Sequence, residues 1–483
     1  MSGPPVTPTR AAALELLREH DVVPLVRDLP TGGRTPVAVM RALGVDGRCF
    51  LLESAQQGGS IGGYSYLGHH PEAVSDTDAS DPLRPLEAVS RESVAPVAGL
   101  EDVFTGGWVG YLSYEAARCY ERLPQPAADP TPLPIADFAL FRSLVIFDHA
   151  RQRILVTTQL RRSDAGAAGA YDEAVERLEA TRATVAAVGA AVEPESPPLR
   201  TAVRARDLDA HSTFLRDRFL ESVGRCLAHI VAGDIFQVQV SRRFSLPLHA
   251  HPFDLYAALR RLNPSPYLFY LSTPACVLAG ASPETLVRVR GSAIDYRPIA
   301  GTRRRGRDHS EDEAMEVELR GSEKEQAEHL MLVDLGRNDI GRVAATGTVR
   351  VGESMIVERY SHVMHLVSGV SARLDAGLGA LDALRACFPA GTVTGAPKIR
   401  AMEIIAAEEP HRRGPYAGAV GYIGSGGMLD TAIALRTVVV VDGVAHVQAA
   451  AGIVADSDPA EEAREIDNKL GAVLAAVAAV NPA

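Results

Sequence analysis

Apolar residues recur at three- and four-residue spacing among charged ones over residues 11–20 and again over 171–188, which predicts an amphipathic helix in each. Between them, Leu-Val-Ile-Phe at 144–147 and Ile-Leu-Val-Thr at 154–157 flank a short polar stretch and predict a hairpin of β-branched and aromatic strands. Further hairpins are predicted at 267–272 with 276–280, 286–290 with 293–297, and 437–441 with 444–448. The last pair is joined by Asp442-Gly443, a dipeptide whose residues both tolerate positive φ. Helical spacing returns at 214–232, 322–335, 381–387, 398–407 and 459–477. Neighbouring antiparallel pairs dominate this pattern, so it excludes a doubly wound nucleotide fold and predicts the α+β class. The expected architecture is a large, sandwich-like antiparallel β-sheet core wrapped by helices.

Pro and small residues crowd the chain after the helix at 171–188 and read as a linker. The expected division is an amino-terminal α+β region at 1–188, a linker at 189–207 and a larger region at 208–483. No fixed-period repeat is visible.

Composition adds exclusions. Of 483 residues 46% are hydrophobic and 23% charged, as in a globular protein with ample core material. A formal net charge of −11 argues against a nucleic-acid binder, which needs Lys and Arg to displace counterions from phosphates. The most apolar terminal run, 471–480, is far shorter than the roughly 18–20 residues that cross a bilayer, and residues 1–10 lack the apolar stretch of a secretory signal. No membrane partner is expected. The five cysteines, Cys49, Cys119, Cys226, Cys276 and Cys387, are odd in number and scattered, which fits a reduced cytoplasmic setting.

Several patterns are weak. Arg303-Arg-Arg-Gly-Arg307 lacks the interleaved aromatics of a nucleic-acid surface. Gly391-Thr-Val-Thr-Gly-Ala-Pro-Lys398 departs from a Walker A loop and reads as a turn before a helix. The glycine run at 421–427 reads as a hairpin turn. Glu325 with Glu328, and Glu462 with Glu465, are each three apart on a predicted helix and so share a face. Two such faces suit a hard cation such as Mg²⁺. On spacing alone they better suit solvated helix faces, since Lys324–Glu328 and Glu465–Lys469 have ordinary ion-pair spacing.

Eight stretches in order carry a resemblance: Asp234-Ile-Phe-Gln-Val-Gln-Val-Ser241, Asn263-Pro-Ser-Pro-Tyr267, Ala281-Ser-Pro-Glu-Thr285, Pro298-Ile-Ala-Gly-Thr302, residues 324–339 ending in Arg-Asn-Asp, Tyr360-Ser-His-Val-Met-His365, Thr392-Val-Thr-Gly-Ala-Pro-Lys398, and residues 448–469. Through them residues 208–477 resemble the catalytic region of chorismate-utilising enzymes, and the whole chain resembles the anthranilate synthase component I family. The resemblance implies that fold and the conversion of chorismate plus ammonia to anthranilate and pyruvate, the first step to tryptophan. It implies Mg²⁺ held by Glu328 and Glu465 with Glu325 and Glu462 in support, and a substrate ring carboxylate assisted by Gly301 and Thr302. Tyr416, Arg436 and Gly452 match positions that hold the enolpyruvyl carboxylate, with Thr392, Ala450 and Lys469 nearby. Glu284 matches the general acid, and His365 the histidine of the elimination half-reaction. Ser54, Pro266, Tyr267 and Leu268 resemble a tryptophan feedback pocket between the two regions, which makes the amino-terminal one regulatory.

Gln237 stands where water-adding relatives carry a lysine base, and an amide cannot deprotonate water. Ala300 stands where many aminodeoxychorismate synthases carry a nucleophilic lysine, so the 2-amino product is favoured. The sequence holds no Gly-x-Cys-x-Gly turn of a glutaminase, which implies a separate glutamine amidotransferase subunit in a hetero-oligomer. Release of 2-amino-2-deoxyisochorismate, and a catalytically silent regulatory subunit, remain the alternatives. Three departures from the family are Gly63 in place of Arg, Leu268 in place of Met, and Ala450 in place of Gly.

Overall fold

The computed structural model describes residues 5–54, 63–76, 78–125, 129, 131–164, 169–191, 208–359 and 363–481. The hairpins expected from alternation form. Ser143–Asp148 pairs with Arg153–Arg161, Tyr267–Ser272 with Val277–Ser282, Thr285–Arg290 with Ala293–Tyr296, and Thr437–Val441 with Val444–Ile453, all antiparallel. The two early helices are Arg10–Leu16 and Ala170–Ala187.

Two large sheets face each other across an aromatic core, with a third, three-stranded sheet at one side. Phe104 stacks on Tyr422 with centroids 4.1 Å apart, and Tyr66 meets both edge-on, the offset and T-shaped geometries that ring quadrupoles favour. The linker reading bears on chain order rather than on sheets. Cys49–Glu53 pairs with Tyr267–Ser272 inside the eleven-stranded sheet, and Gly107–Leu112 with Ala419–Gly424 inside the nine-stranded one, so strands from both sides of the linker share each sheet. Residues 192–207 of that linker lie outside the described residues.

Helices cover the outer face of the larger sheet. In Pro459–Val480 the buried positions Ile466, Leu470, Val473, Leu474 and Val477 follow the three- and four-residue spacing of an apolar stripe. Asp458 caps this helix by accepting from the Ala460 and Glu461 amides, an arrangement that contributes about 1 kcal/mol. Glu323–Gly341 starts at Ser322, whose hydroxyl accepts from the Glu325 amide at 3.4 Å. That helix runs six residues beyond its expected end, because Gly336 and Asp339 are buried in the core and tertiary packing overrides their low helix propensity.

The glycine run at 421–427 is a hairpin turn only in its second half: Ala419–Gly424 is a strand, and the turn occupies Ser425–Gly427 before Leu429–Ile433. The basic cluster is neutralised within the chain, since Arg303 pairs with Glu318 and Glu325, Arg304 and Arg307 with Glu311, and Arg305 with Asp312. Among the described residues no helix is long and apolar enough to cross a membrane, and the five cysteines are unbridged thiols.

Candidate active site

A cavity of about 690 Å³ opens between the larger sheet, the three-stranded sheet and the two acidic helices. Gln237, Glu284, Gly301, Glu328, His365, Thr392, Tyr416, Arg436, Ala450, Gly452, Glu465 and Lys469 all line it, as do Glu325 and Glu462. Residues from 237 to 469 thus converge on one space.

Two groups with opposed proton chemistry line this cavity. Glu284 follows the strand Val277–Ser282 and is buried, and that burial pushes its carboxyl up to about 8, against the pull of the Thr392 hydroxyl, the Ile299 amide and Lys469. It is therefore protonated at neutral pH. His365 lies in the strand Val363–Val367 opposite Thr302. Its Nδ1 stands 3.1 Å from the Gly301 carbonyl, which only accepts, so Nδ1 carries the proton and Nε2 is the basic nitrogen. Burial, with Arg436 nearby, drops the imidazole to about 4, so it is neutral.

The Gly301 carbonyl reaches His365 because the register of Ile299–Arg304 slips at this point. Gly301 adopts φ 63°, and a Cβ there would stand 2.9 Å from the Leu319 side chain, so glycine fills the bulge. Thr302 continues the strand, and its side chain lies outside the described residues, as do Tyr360, Ser361 and His362.

Arg436 supplies the positive charge. It adopts φ 47°, unusual for a residue with a Cβ. Burial lowers its pKa, and among the described residues it has no carboxylate partner. A half-buried guanidinium without a carboxylate partner is costly and suits a planar anion arriving from outside. Tyr416 is buried beside it in the wall, its pKa raised by burial, with the Ala450 backbone as partner. Lys469 donates to the Ala450 carbonyl at 2.9 Å and pairs with Glu465 at 2.6 Å, so of the two expected ion pairs the Glu465–Lys469 one forms. At Gly452 a Cβ would stand 2.7 Å from Gln239 Nε2 and 3.1 Å from Gln237 Nε2, so glycine leaves room for both amides. The methyl of Ala450 is accommodated in the wall, buried.

The acidic helices present a hard-oxygen face. Burial raises the pKa of Glu328, reinforced by Glu325, Glu465 and Glu462, and burial likewise raises that of Glu462. Glu462 Oε2 is buried with no hydrogen-bond partner among the described residues. No three metal-ligating side chains among the described residues gather tightly enough to hold an ion alone. Carboxylates from two helices, with one oxygen unsatisfied, fit Mg²⁺, which takes one or two protein carboxylates and completes its shell with water and substrate oxygens.

A second cavity of about 80 Å³ lies between the two large sheets and is lined by Ser54, Pro266, Tyr267 and Leu268, so the four residues likened to a tryptophan pocket do meet. Its polar wall was not singled out from sequence. Asp430 accepts from Tyr267 Oη at 2.9 Å and from Arg288 Nε at 2.9 Å, and Tyr267 Oη also meets Thr285 Oγ1 at 2.8 Å. Gln239 and Asn468 of the large cavity were missed as well. Strand alternation places Gln239 on the face of Gln237 and would have found it.

The family model described as chorismate binding enzyme matches residues 47–475, and the chain belongs to that family. Anthranilate synthase component 1 of Streptomyces coelicolor is 51% identical over 478 residues, covering 97% of this chain and 92% of that relative. The crystal structure of anthranilate synthase component I from Streptococcus pneumoniae superposes with a TM-score of 0.74 at 35% identity, over 87% of this chain and 93% of that one. Within the family the chain therefore stands with the anthranilate synthase component 1 proteins. The menaquinone-specific isochorismate synthase of Escherichia coli, at 21% identity and a TM-score of 0.69 over 97% and 99% of the two chains, shares the fold.

Proposed function

We propose that this chain aminates chorismate and eliminates pyruvate from it, as the synthase subunit of anthranilate synthase. The observation that carries this reading is one cavity holding a protonated Glu284, a neutral His365 and an unpaired Arg436. Arg436, with Tyr416 and the Gly452 backbone, takes the enolpyruvyl carboxylate. The carboxylates of Glu328 and Glu465 hold Mg²⁺, with Glu325 and Glu462 beside them. When bound, the metal supplies positive charge for the ring carboxylate. Gly301 and Thr302 border that end of the ring, and Lys469 adds local charge.

Ammonia forms the bond to C2, the ring double bonds shift, and the C4–O bond breaks. Glu284 donates the proton with which the hydroxyl leaves as water. Nε2 of His365 then takes the C2 proton, the C3–O bond breaks as the ring becomes aromatic, and the departing enolpyruvate takes up a proton at its methylene carbon to become pyruvate. Gln237 offers an amide to the nucleophile and cannot activate water, which keeps the reaction on ammonia.

Purified chain with chorismate, Mg²⁺ and ammonium is expected to yield fluorescent anthranilate and pyruvate in equal amounts, with the rate abolished by EDTA and restored by Mg²⁺. An amino-diene without pyruvate would instead establish 2-amino-2-deoxyisochorismate as the product. In the cell the ammonia comes from a glutamine amidotransferase subunit, and the unbridged thiols fit a cytoplasmic setting.

The smaller cavity, rimmed by Ser54 and the Pro266–Leu268 segment, takes tryptophan as feedback inhibitor. The amino-terminal region, 1–188, is on this reading regulatory, and 208–483 catalytic. Titration calorimetry is expected to detect tryptophan binding, weakened about tenfold or more in Tyr267→Ala through loss of an aromatic wall and a hydroxyl. Absence of any heat with the unaltered chain would remove the regulatory reading and leave the catalytic one standing.

A further inference from the structure

Outside both cavities, three adjoining segments each carry an exposed apolar side chain. Val231 ends the helix Arg216–Val231, Phe236 precedes the strand Gln237–Pro247, and Ile399 lies in the first turn of Lys398–Glu408. Their relative exposures are 89%, 73% and 45%, the first two the largest of any big apolar side chain among the described residues. The segments are tied to one another. Asp234 Oδ2 lies 2.8 Å from His229 Nδ1 and accepts from Arg400 at 3.0 Å, while the Phe236 amide donates to the Ala396 carbonyl at 2.7 Å.

Single exposed apolar residues are ordinary. One aromatic and two aliphatics exposed on segments tied together through His229, Asp234 and Arg400, with Glu403 beside Arg400, instead have the composition of an interface, apolar residues among polar ones. The place of the patch decides what it would bind. Ile235 and Gln237 are buried on either side of the exposed Phe236, so this short segment turns Phe236 outward and Gln237 inward. Gln237 lines the large cavity, and its Oε1 is buried with no hydrogen-bond partner among the described residues. That oxygen is an acceptor suited to the N–H of ammonia.

We infer that the Val231, Phe236 and Ile399 surface is where the glutamine amidotransferase subunit docks, delivering ammonia through the wall at Gln237. This rests on the aminating function proposed above. The partner's hydrolysis breaks the amide C–N bond of glutamine with one water, giving glutamate and ammonia. Ammonia released into neutral water is mostly protonated and loses its nucleophilic lone pair, so a donor enzyme gains by sitting against the wall nearest the cavity.

The test pairs the purified chain with the purified glutamine amidotransferase subunit of the same organism. In a variant carrying Phe236→Glu and Ile399→Glu, the glutamine-dependent rate is expected to fall at least tenfold while the ammonium-dependent rate is unchanged. An unchanged glutamine-dependent rate overturns the assignment. Should both rates fall together, Val231→Lys decides, because so exposed a position tolerates charge without loss of fold. It is expected to raise the subunit concentration needed for half-maximal glutamine-dependent rate severalfold, and an unaltered requirement overturns the assignment. If light scattering shows the double variant losing self-association while keeping its glutamine-dependent rate, the surface binds a second copy and the assignment is again overturned. Absence of ammonium-dependent activity in the unaltered chain would sink the aminating function and this surface with it.

Discussion

Glu284→Gln is expected to lower the rate of anthranilate formation by about 10²–10⁴-fold, the usual contribution of a positioned general acid, while chorismate binding survives. The substitution keeps shape and removes the proton that the departing hydroxyl needs. The pH profile of the unaltered enzyme gives a second reading of the same group. With its pKa pushed to about 8, the carboxyl is protonated at neutral pH and loses its proton as pH rises through that value, so kcat is expected to fall about tenfold per pH unit beyond it. His365, held near 4, stays an uncharged base over the same range. A profile flat to pH 10 would remove Glu284 from the role of acid. Linkage has a matching sign. A carboxyl whose folded pKa is raised contributes stability below its ordinary value of 4.5, and that contribution is lost as pH rises through about 8.

Arg436→Ala is expected to lower kcat/KM by about 30- to 3,000-fold, the range for removing one partner of a buried charge pair worth about 2–5 kcal/mol. The more telling outcome concerns the free protein. Its guanidinium is half-buried without a carboxylate partner among the described residues and sits at positive φ, so it burdens the fold in the absence of substrate. Most buried substitutions destabilise by about 1 kcal/mol, but here the melting temperature without substrate is expected to hold or rise. A fall in Tm, together with an unaltered kcat/KM, would make Arg436 a structural residue and remove it from the substrate site. The expected pattern is that of a site whose strain is offset only when ligand arrives.

The acidic helices show how sequence spacing needed the fold to acquire meaning. Spacing places Glu325 with Glu328, and Glu462 with Glu465, each pair on one helical face, and by itself it favours ion pairing over metal holding. The structure holds the ion pairing, and beside it a carboxylate face of the kind that suits a hard cation. Lys469 pairs with Glu465, yet Glu462 Oε2 is buried with no hydrogen-bond partner among the described residues, and burial, reinforced by like charges on the two helices, raises the pKa of Glu328. Local sequence cannot encode that mutual repulsion, because it arises between residues more than 130 positions apart. The family motifs marked Glu284 and His365, but the opposed protonation of the two follows from burial in a shared cavity. In the Asp430 network of the smaller cavity only Tyr267 was marked by sequence, since its members come from three strands that only sheet pairing makes neighbours.

By itself the sequence determined the α+β class, the hairpins, the main helices and the order of motifs that likens the chain to chorismate-utilising enzymes. Those features depend on periodicity and turn chemistry, which act over a few residues. Only the tertiary structure decided that strands from both sides of the linker share two sheets, that one cavity gathers residues from 237 to 469, and which carboxyl keeps its proton. Long-range pairing and desolvation set those outcomes, and both depend on which distant segments come to lie together.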